Sequence, residues 1–322
     1  MATAEQLKML IKSHFDNNND RFKTIVLQLA AHEAKQGHTA LAREIRELID
    51  KSKAASNKVI PFNKDLNDLI YSTVSGRKLS DLVVSDDIKA RIERILREFR
   101  QRDRLKKHGF NNRRKILLSG PPGTGKTMTA SILAGELHLP FCTILMDKLV
   151  TKYMGETSAK LRQIFEIIRD NQAVYLFDEF DAIGSERGLD NDVGEMRRVL
   201  NAFLQFIEQD DSHSLIVSAT NSVKLLDQAL FRRFDDILCY DYPTESDVRR
   251  LIANRLSGFN KFGSVELNEI TGWALTLSHA EITRACDDAI KEAILNDLEN
   301  VTTEQLLKTL EERKSAYNRG EN

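Results

Sequence analysis

The sequence predicts an α/β fold in which a buried parallel sheet carries a phosphate-binding loop, and three observations predict it. Gly120, Gly125, Lys126 and Thr127 satisfy the pattern G-x-x-x-x-G-K-[ST]. The loop stands between a short apolar run of strand type, Lys115–Ser119, and a helical pattern over Met128–Leu137. Further on, Ala173–Phe177 is a nearly continuous apolar run ending in Asp178-Glu179, as expected of a buried parallel strand whose carboxyl end faces a ligand.

A Gly/Pro surface turn is the plainer reading of the loop. It explains the composition but not the placement, and four such constraints met by accident in a chain this long is an event on the order of one in a hundred. Glycines let the backbone wrap closely, so that successive N–H groups point at phosphate oxygens. The candidate nucleotide-binding residues are Gly120, Pro121, Pro122, Gly123, Thr124, Gly125, Lys126, Thr127 and Met128. Lys126 brings a positive charge to the β- and γ-phosphates, and the Thr127 hydroxyl is a ligand for Mg²⁺.

Composition sets the bounds. With 322 residues, 41% hydrophobic and 30% charged, the chain is a soluble globular type long enough for two or three compact units. A formal net charge of −1 gives no long-range attraction for nucleic acid or anionic lipid. No apolar run approaches the roughly 18 residues of a spanning helix. Met1–Glu5 lacks a basic start followed by an apolar core, so a cytoplasmic protein with no membrane partner is expected. Cys142, Cys239 and Cys286 are widely separated and read as reduced structural thiols.

Taken in order, residues 1–50 show helical periodicity three times. The sets are Leu7, Leu10 and Ile11; Phe22, Ile25, Val26 and Leu29; and Leu41, Ile45, Leu48 and Ile49. A small helical N-terminal module is expected, followed by a linker over 51–78 whose polar part, Lys51–Lys58, runs into Pro61. Ser85–Lys107 reads as one amphipathic helix with Ile88, Ile92, Ile95, Leu96 and Phe99 inward and many arginines outward. Interleaved Asp87, Glu93, Glu98 and Asp103, with no aromatic platform, favour a solvated face over a nucleic-acid surface.

Beyond the loop, Pro140–Met146 reads as a strand and Thr157–Arg169 as a helix. Between them Lys152, Tyr153, Met154 and Gly155 are either an exposed contact loop or a loop that Tyr153 anchors by folding back. Downstream of a phosphate loop, Asp178 is expected to hold Mg²⁺ through its water shell and Glu179 to polarise an attacking water. Ser214–Ser218 gives a further strand, and Asn221 at its end either caps the turn or positions that water.

Gly120–Thr127, Val174–Glu179, Ser218–Asn221 and Leu230–Asp235 together resemble the AAA ATPases in order and approximate spacing, over about residues 79–310. The resemblance implies a large α/β subdomain over 79–242, a P-loop NTPase parallel sheet of strand order 5-1-4-3-2, with a small helical lid over 243–322. It implies a homo-oligomer, a hexameric ring that binds ATP with Mg²⁺ between neighbours. By the same resemblance Asn221 matches the first sensor. Arg232 and Arg233 match arginine fingers that reach the adjacent subunit's site, whereas local sequence alone reads them as a surface cluster answered by Asp235 and Asp236. Lys152-Tyr153-Met154-Gly155 resembles the pore loop with which threading members grip a protein substrate.

The lid departs from the family's Ser-Gly-Ala-Asp, having Ser278-His279-Ala280-Glu281, so that His279 either stands near adenine or caps the next helix. Arg284 reads as part of a solvated lid face, and Val84-Ser85-Asp86 stands where many relatives carry glycine. Lys107–Lys126, Gly194–Asn201 and Leu277–Ala285 look most like bacterial AAA ATPases encoded beside subtilisin-like serine proteases in plasmid-maintenance and phage-defence modules. This implies such a protease as partner or effector, since the chain has neither G-x-S-x-G nor H-E-x-x-H. The resemblance then implies ATP-driven protein remodelling, and the alternative is a nucleotide-dependent switch that restrains or activates an effector.

Overall fold

The computed structural model describes residues 19–38, 41–45, 69–149, 154–180, 192–221, 231–259 and 267–320. The chain divides into two compact units, Met1–Lys58 and Val59–Asn322. In the first, helix α1 (Asn19–Lys35) buries Ile25 and Ala30, and Ala42 is buried in the helical stretch 41–45. Among the described residues no helix is long and apolar enough to cross a membrane.

The second unit is built on a six-stranded sheet. Its strands are β1 (Ile70–Thr73), β2 (Lys115–Ser119), β3 (Phe141–Ile144), β4 (Val174–Phe177), β5 (Leu215–Thr220) and β6 (Asp236–Cys239), in spatial order β1-β3-β4-β5-β2-β6. The five strands β2 to β6 pair in parallel. Counted from the phosphate-loop strand, their order is the expected 5-1-4-3-2. The addition is β1, antiparallel to β3 with Ile70 opposite Ile144, in the stretch read as linker. Only one of its four residues, Ile70, is buried, so it carries no alternation long enough to read as a strand.

Burial on both faces explains the continuous apolar runs, because every residue of β4 and β5 is buried. The period of two then sorts the side chains. Tyr175, Phe177 and Ile216 join one core with Phe165 and Phe203 of helices α6 (Met154–Asp170) and α7 (Asp192–Gln209). Val174, Leu176 and Val217 join the other with Ile92 and Ile95 of α2 (Asp86–Arg100) and Ile132 and Leu133 of α4 (Lys126–Leu137).

The helix expected over Ser85–Lys107 is two. Ser85 is the N-cap of α2, accepting from the Ile88 N–H, and the chain breaks at Gln101 before α3 (Arg102–Lys107). Several of its arginines are tied down: Arg91 pairs with Asp236, and Arg100 with Glu136. Met146 starts a short helix, α5 (Met146–Leu149), instead of ending a strand, and α6 begins at Met154, earlier than expected.

After Pro243, Thr244 and Asp247 form a capping box that starts α8 (Glu245–Leu256). With α9 (Leu267–Ala274), α10 (His279–Leu295) and α11 (Thr303–Gly320) it closes a separate core that includes Ile252, Ile270, Ile282, Cys286 and Leu306.

Candidate nucleotide site

The phosphate loop leaves β2 at the crevice where β2 lies between β5 and β6, the place where open parallel sheets bind ligands. Three of its residues need glycine. Gly120, Gly123 and Gly125 have φ of 146°, 75° and 102°. A Cβ on Gly120 would overlap the Tyr240 carbonyl, and one on Gly123 would lie 2.5 Å from Ser278 Oγ. The loop is therefore squeezed between β6 and the start of α10. Its shape is held from inside as well, because Lys126 Nζ donates to the carbonyls of Gly120 and Pro121, each at 2.7 Å. Thr124 Oγ1 donates to the Pro121 carbonyl at 2.8 Å.

Opposite the loop stands the end of β4. Thr127 Oγ1 donates to Asp178 Oδ2 at 2.8 Å, which brings two hard oxygen donors together in a set that fits Mg²⁺. Glu179 is left-handed, with φ 52°, an unusual conformation for a residue with a Cβ. On either side it is held: its N–H donates to Asp178 Oδ1 at 3.0 Å, and the next N–H, that of Phe180, donates to the Ala219 carbonyl at 2.8 Å. Phe180 is fully buried against Phe203, with ring centroids 4.5 Å apart. Burying Phe180 thus leaves Glu179 exposed at the mouth of the crevice, where Asn221 follows β5.

These groups line one cavity of about 950 Å³. It gathers Pro122 to Met128, Asp178, Glu179 and Asn221 from the sheet side, with Ser80–Val83 ahead of α2. The lid contributes Leu251, Asn254 and Arg255 of α8 and His279, Ala280, Thr283 and Arg284 of α10. The lid is latched to the loop, because the Ala280 N–H donates to the Gly123 carbonyl at 2.9 Å. Sequence reading does not find Leu82, Val83, Leu251, Asn254 or Thr283, since only tertiary packing brings them to the loop. Arg284 is exposed, as a solvated lid face requires, yet it also lines the cavity.

Two local readings are corrected. The cap of α10 is Ser278, not His279: its Oγ accepts from the Glu281 N–H and Glu281 reaches back to the Ser278 N–H. The S-x-x-E signature of this capping box is present in the sequence. His279 is the first helical residue. Burial holds its imidazole below the ordinary histidine value, partly opposed by Asp247. Nor do Asp235 and Asp236 answer the paired arginines. Asp235 accepts from the backbone N–H groups of Arg114 and Lys115, and Asp236 pairs with Arg91 and Arg113. Arg232 is exposed, Arg233 pairs with Glu208 at 3.2 Å, and neither lines the cavity of its own chain. Of the expected pore loop, Lys152 and Tyr153 lie outside the described residues, while Met154 and Gly155 open α6.

Comparison with known proteins gives a consistent family. The model described as "ATPase family associated with various cellular activities (AAA)" matches residues 116–242. An uncharacterized AAA family ATPase, y4kL, of Sinorhizobium fredii is 31% identical over 321 residues, 97% of this chain and 96% of its own. The ATP-dependent zinc metalloprotease FtsH 2 of Sphaerobacter thermophilus is 29% identical over 236 residues, and a proteasome-activating nucleotidase of Methanosphaerula palustris is 31% identical over 223. The chain spans 36% of that metalloprotease and 54% of that nucleotidase.

Proposed function

The chain belongs to the AAA family of ATPases and hydrolyses ATP, and we propose that it does so between the subunits of a homohexameric ring to remodel or thread a protein substrate. The reaction is in-line attack of water on the γ-phosphate. The loop's N–H groups hold the phosphates and Lys126 offsets the charge that builds on them. Glu179 accepts the water's proton while Asn221 orients its oxygen. Thr127 and Asp178 would hold Mg²⁺, which would supply charge neutralisation to the phosphates when bound.

The observation that carries the reading is the placement of the arginines. The sheet-side wall of the cavity collects a lysine, a hydroxyl, two carboxylates and an amide, while Arg232 stands exposed outside it. Such a placement is what fingers supplied in trans require, and such fingers are worth roughly 10³–10⁵ in rate where measured. A ring of these subunits makes hydrolysis depend on its geometry, and the Tyr153 loops convert that dependence into grip on a polypeptide. The setting we favour is a cytoplasmic bacterial defence or plasmid-maintenance module with a subtilisin-like serine protease as partner. Its support is the likeness of Lys107–Lys126, Gly194–Asn201 and Leu277–Ala285 to AAA ATPases encoded beside such proteases.

The test is affinity capture from the native host with Glu179→Gln, expected to hold ATP and hydrolyse it about 10²–10⁴ times more slowly. Capture is repeated with Glu179→Gln plus Tyr153→Ala. A broad set of polypeptides lost with Tyr153→Ala supports remodelling. A single stoichiometric partner kept by both variants replaces it with a switch that restrains or activates one effector.

A further inference from the structure

We infer that the imidazole of His279 reads the base of the bound nucleotide, donating through Nε2–H to a ring nitrogen of the purine. The inference rests on ATP occupying the cavity, and it adds a base-specific residue to the phosphate-binding groups already described.

With the phosphates held by the loop and Lys126, the base falls between Ser80–Val83 and the lid wall of α8 and α10. On that wall Arg255 is engaged by Asp287 and Arg284 is exposed on a long side chain. His279 differs in that its backbone is fixed. Its neighbours on either side touch the loop, Ala280 through the bond to Gly123 and Ser278 through the close approach to the same glycine. A backbone tied to the loop on both sides keeps its distance from the phosphates, so a ring carried on it can select a base attached to them.

The ring's two nitrogens are unequal. Nδ1 is buried with no partner, the one side-chain nitrogen in that position among the described residues. A buried N–H left unbonded is rarer than a buried lone pair, so the proton belongs on Nε2, the nitrogen that can face the cavity. Asp247 on α8 is the charged group that acts on the ring; the cavity it shares is also lined by Asp81 ahead of α2, Lys126 on the loop, Asp178 and Glu179 at the end of β4, and Arg255 and Arg284 on the lid, with Glu281 held in the Ser278 capping box. Burial outweighs Asp247 and disfavours the second proton, which would leave Nδ1–H buried and unbonded.

Calorimetry with ADP, which avoids turnover, tests this on the full chain. His279→Ala should weaken ADP binding about three- to tenfold, the size of one neutral hydrogen bond. His279→Gln, which keeps a donor near Nε2 and cannot titrate, should recover most of the affinity. Among 1-, 3- and 7-deaza-ADP, one should already bind the wild type as weakly as His279→Ala binds ADP, and lose nothing more in His279→Ala. Equal binding of ADP by wild type and His279→Ala, with melting temperatures matched, overturns the inference. So does additive loss for all three analogues. Wild-type protein that binds no ADP, or a Lys126→Ala variant that binds it normally, would instead remove the nucleotide reading of the cavity.

Discussion

Substituting Gly123 by alanine tests whether the contact between phosphate loop and lid is part of the nucleotide site. Two costs arise, and they can be separated. Gly123 has φ 75°, where an L-residue pays about 1–2 kcal/mol whether or not the lid is in place. The new Cβ would also lie 2.5 Å from Ser278 Oγ and 3.0 Å from Ser278 Cβ, about 1 Å inside ordinary contact. Relieving that overlap means withdrawing the start of α10, which breaks the 2.9 Å bond from Ala280 to Gly123. Losing that bond costs about 0.5–1.5 kcal/mol, so with residual overlap the docked lid is disfavoured by roughly 1–2 kcal/mol, or about tenfold in ADP affinity. The second site separates the costs, because Ser278→Gly removes both overlapping atoms and, as a helix cap, costs only a few tenths of a kcal/mol. Calorimetric ADP titration of the two single variants and the double variant should show the double binding several-fold tighter than Gly123→Ala alone, with Ser278→Gly close to wild type. A double variant no better than Gly123→Ala would place the whole loss in the loop's conformation and refute the argument from the lid contact.

Two further perturbations address hydrolysis. Phe203→Ala removes a fully buried ring that meets Phe177 at 4.9 Å and Phe180 at 4.5 Å between centroids. Urea unfolding should show a loss of about 3–5 kcal/mol, and because Phe180 anchors Glu179, ATPase rate should drop more than ADP affinity; equal losses in both would break that link. Arg232→Ala and Glu179→Gln should each hydrolyse ATP poorly, but equal mixtures should regain activity where an intact Arg232 meets an intact Glu179 across a subunit junction. A mixture no more active than its parts argues against an arginine acting in trans.

How much of this site could be read beforehand depends on how local its causes are. The phosphate loop, the buried strands and Asp178-Glu179 are written in contiguous residues whose spacing is set by backbone geometry. The lid wall is not, because Leu251 and Thr283 are ordinary helical positions until α8 and α10 pack beside the loop. Closeness in sequence does not make partners. Asp235 and Asp236 lie two and three residues after Arg233, yet they serve Arg114, Lys115, Arg91 and Arg113, more than a hundred residues away in the chain. Strand β1 is not legible in the sequence for the opposite reason. Its pairing with β3 depends on one buried isoleucine, and no periodic pattern announces it.

Glu179 shows why a site residue can contradict its own backbone preference. A left-handed glutamate is disfavoured, and glycine at this position would relax the strain. The strain persists because the residues on both sides are over-determined. Phe177 ends a fully buried strand and Phe180 must enter the core beside Phe203, while the Phe180 N–H is committed to Ala219. Two buried aromatics three residues apart, with the chain leaving the sheet between them, leave the intervening pair to make the turn. Asp178 keeps its side chain toward Thr127 and Glu179 takes the unfavourable angle. Relaxing the turn would move the Glu179 carboxylate relative to Asp178, so the aromatic packing behind β4 fixes the spacing of the two acids to which the proposed reaction assigns the metal and the attacking water.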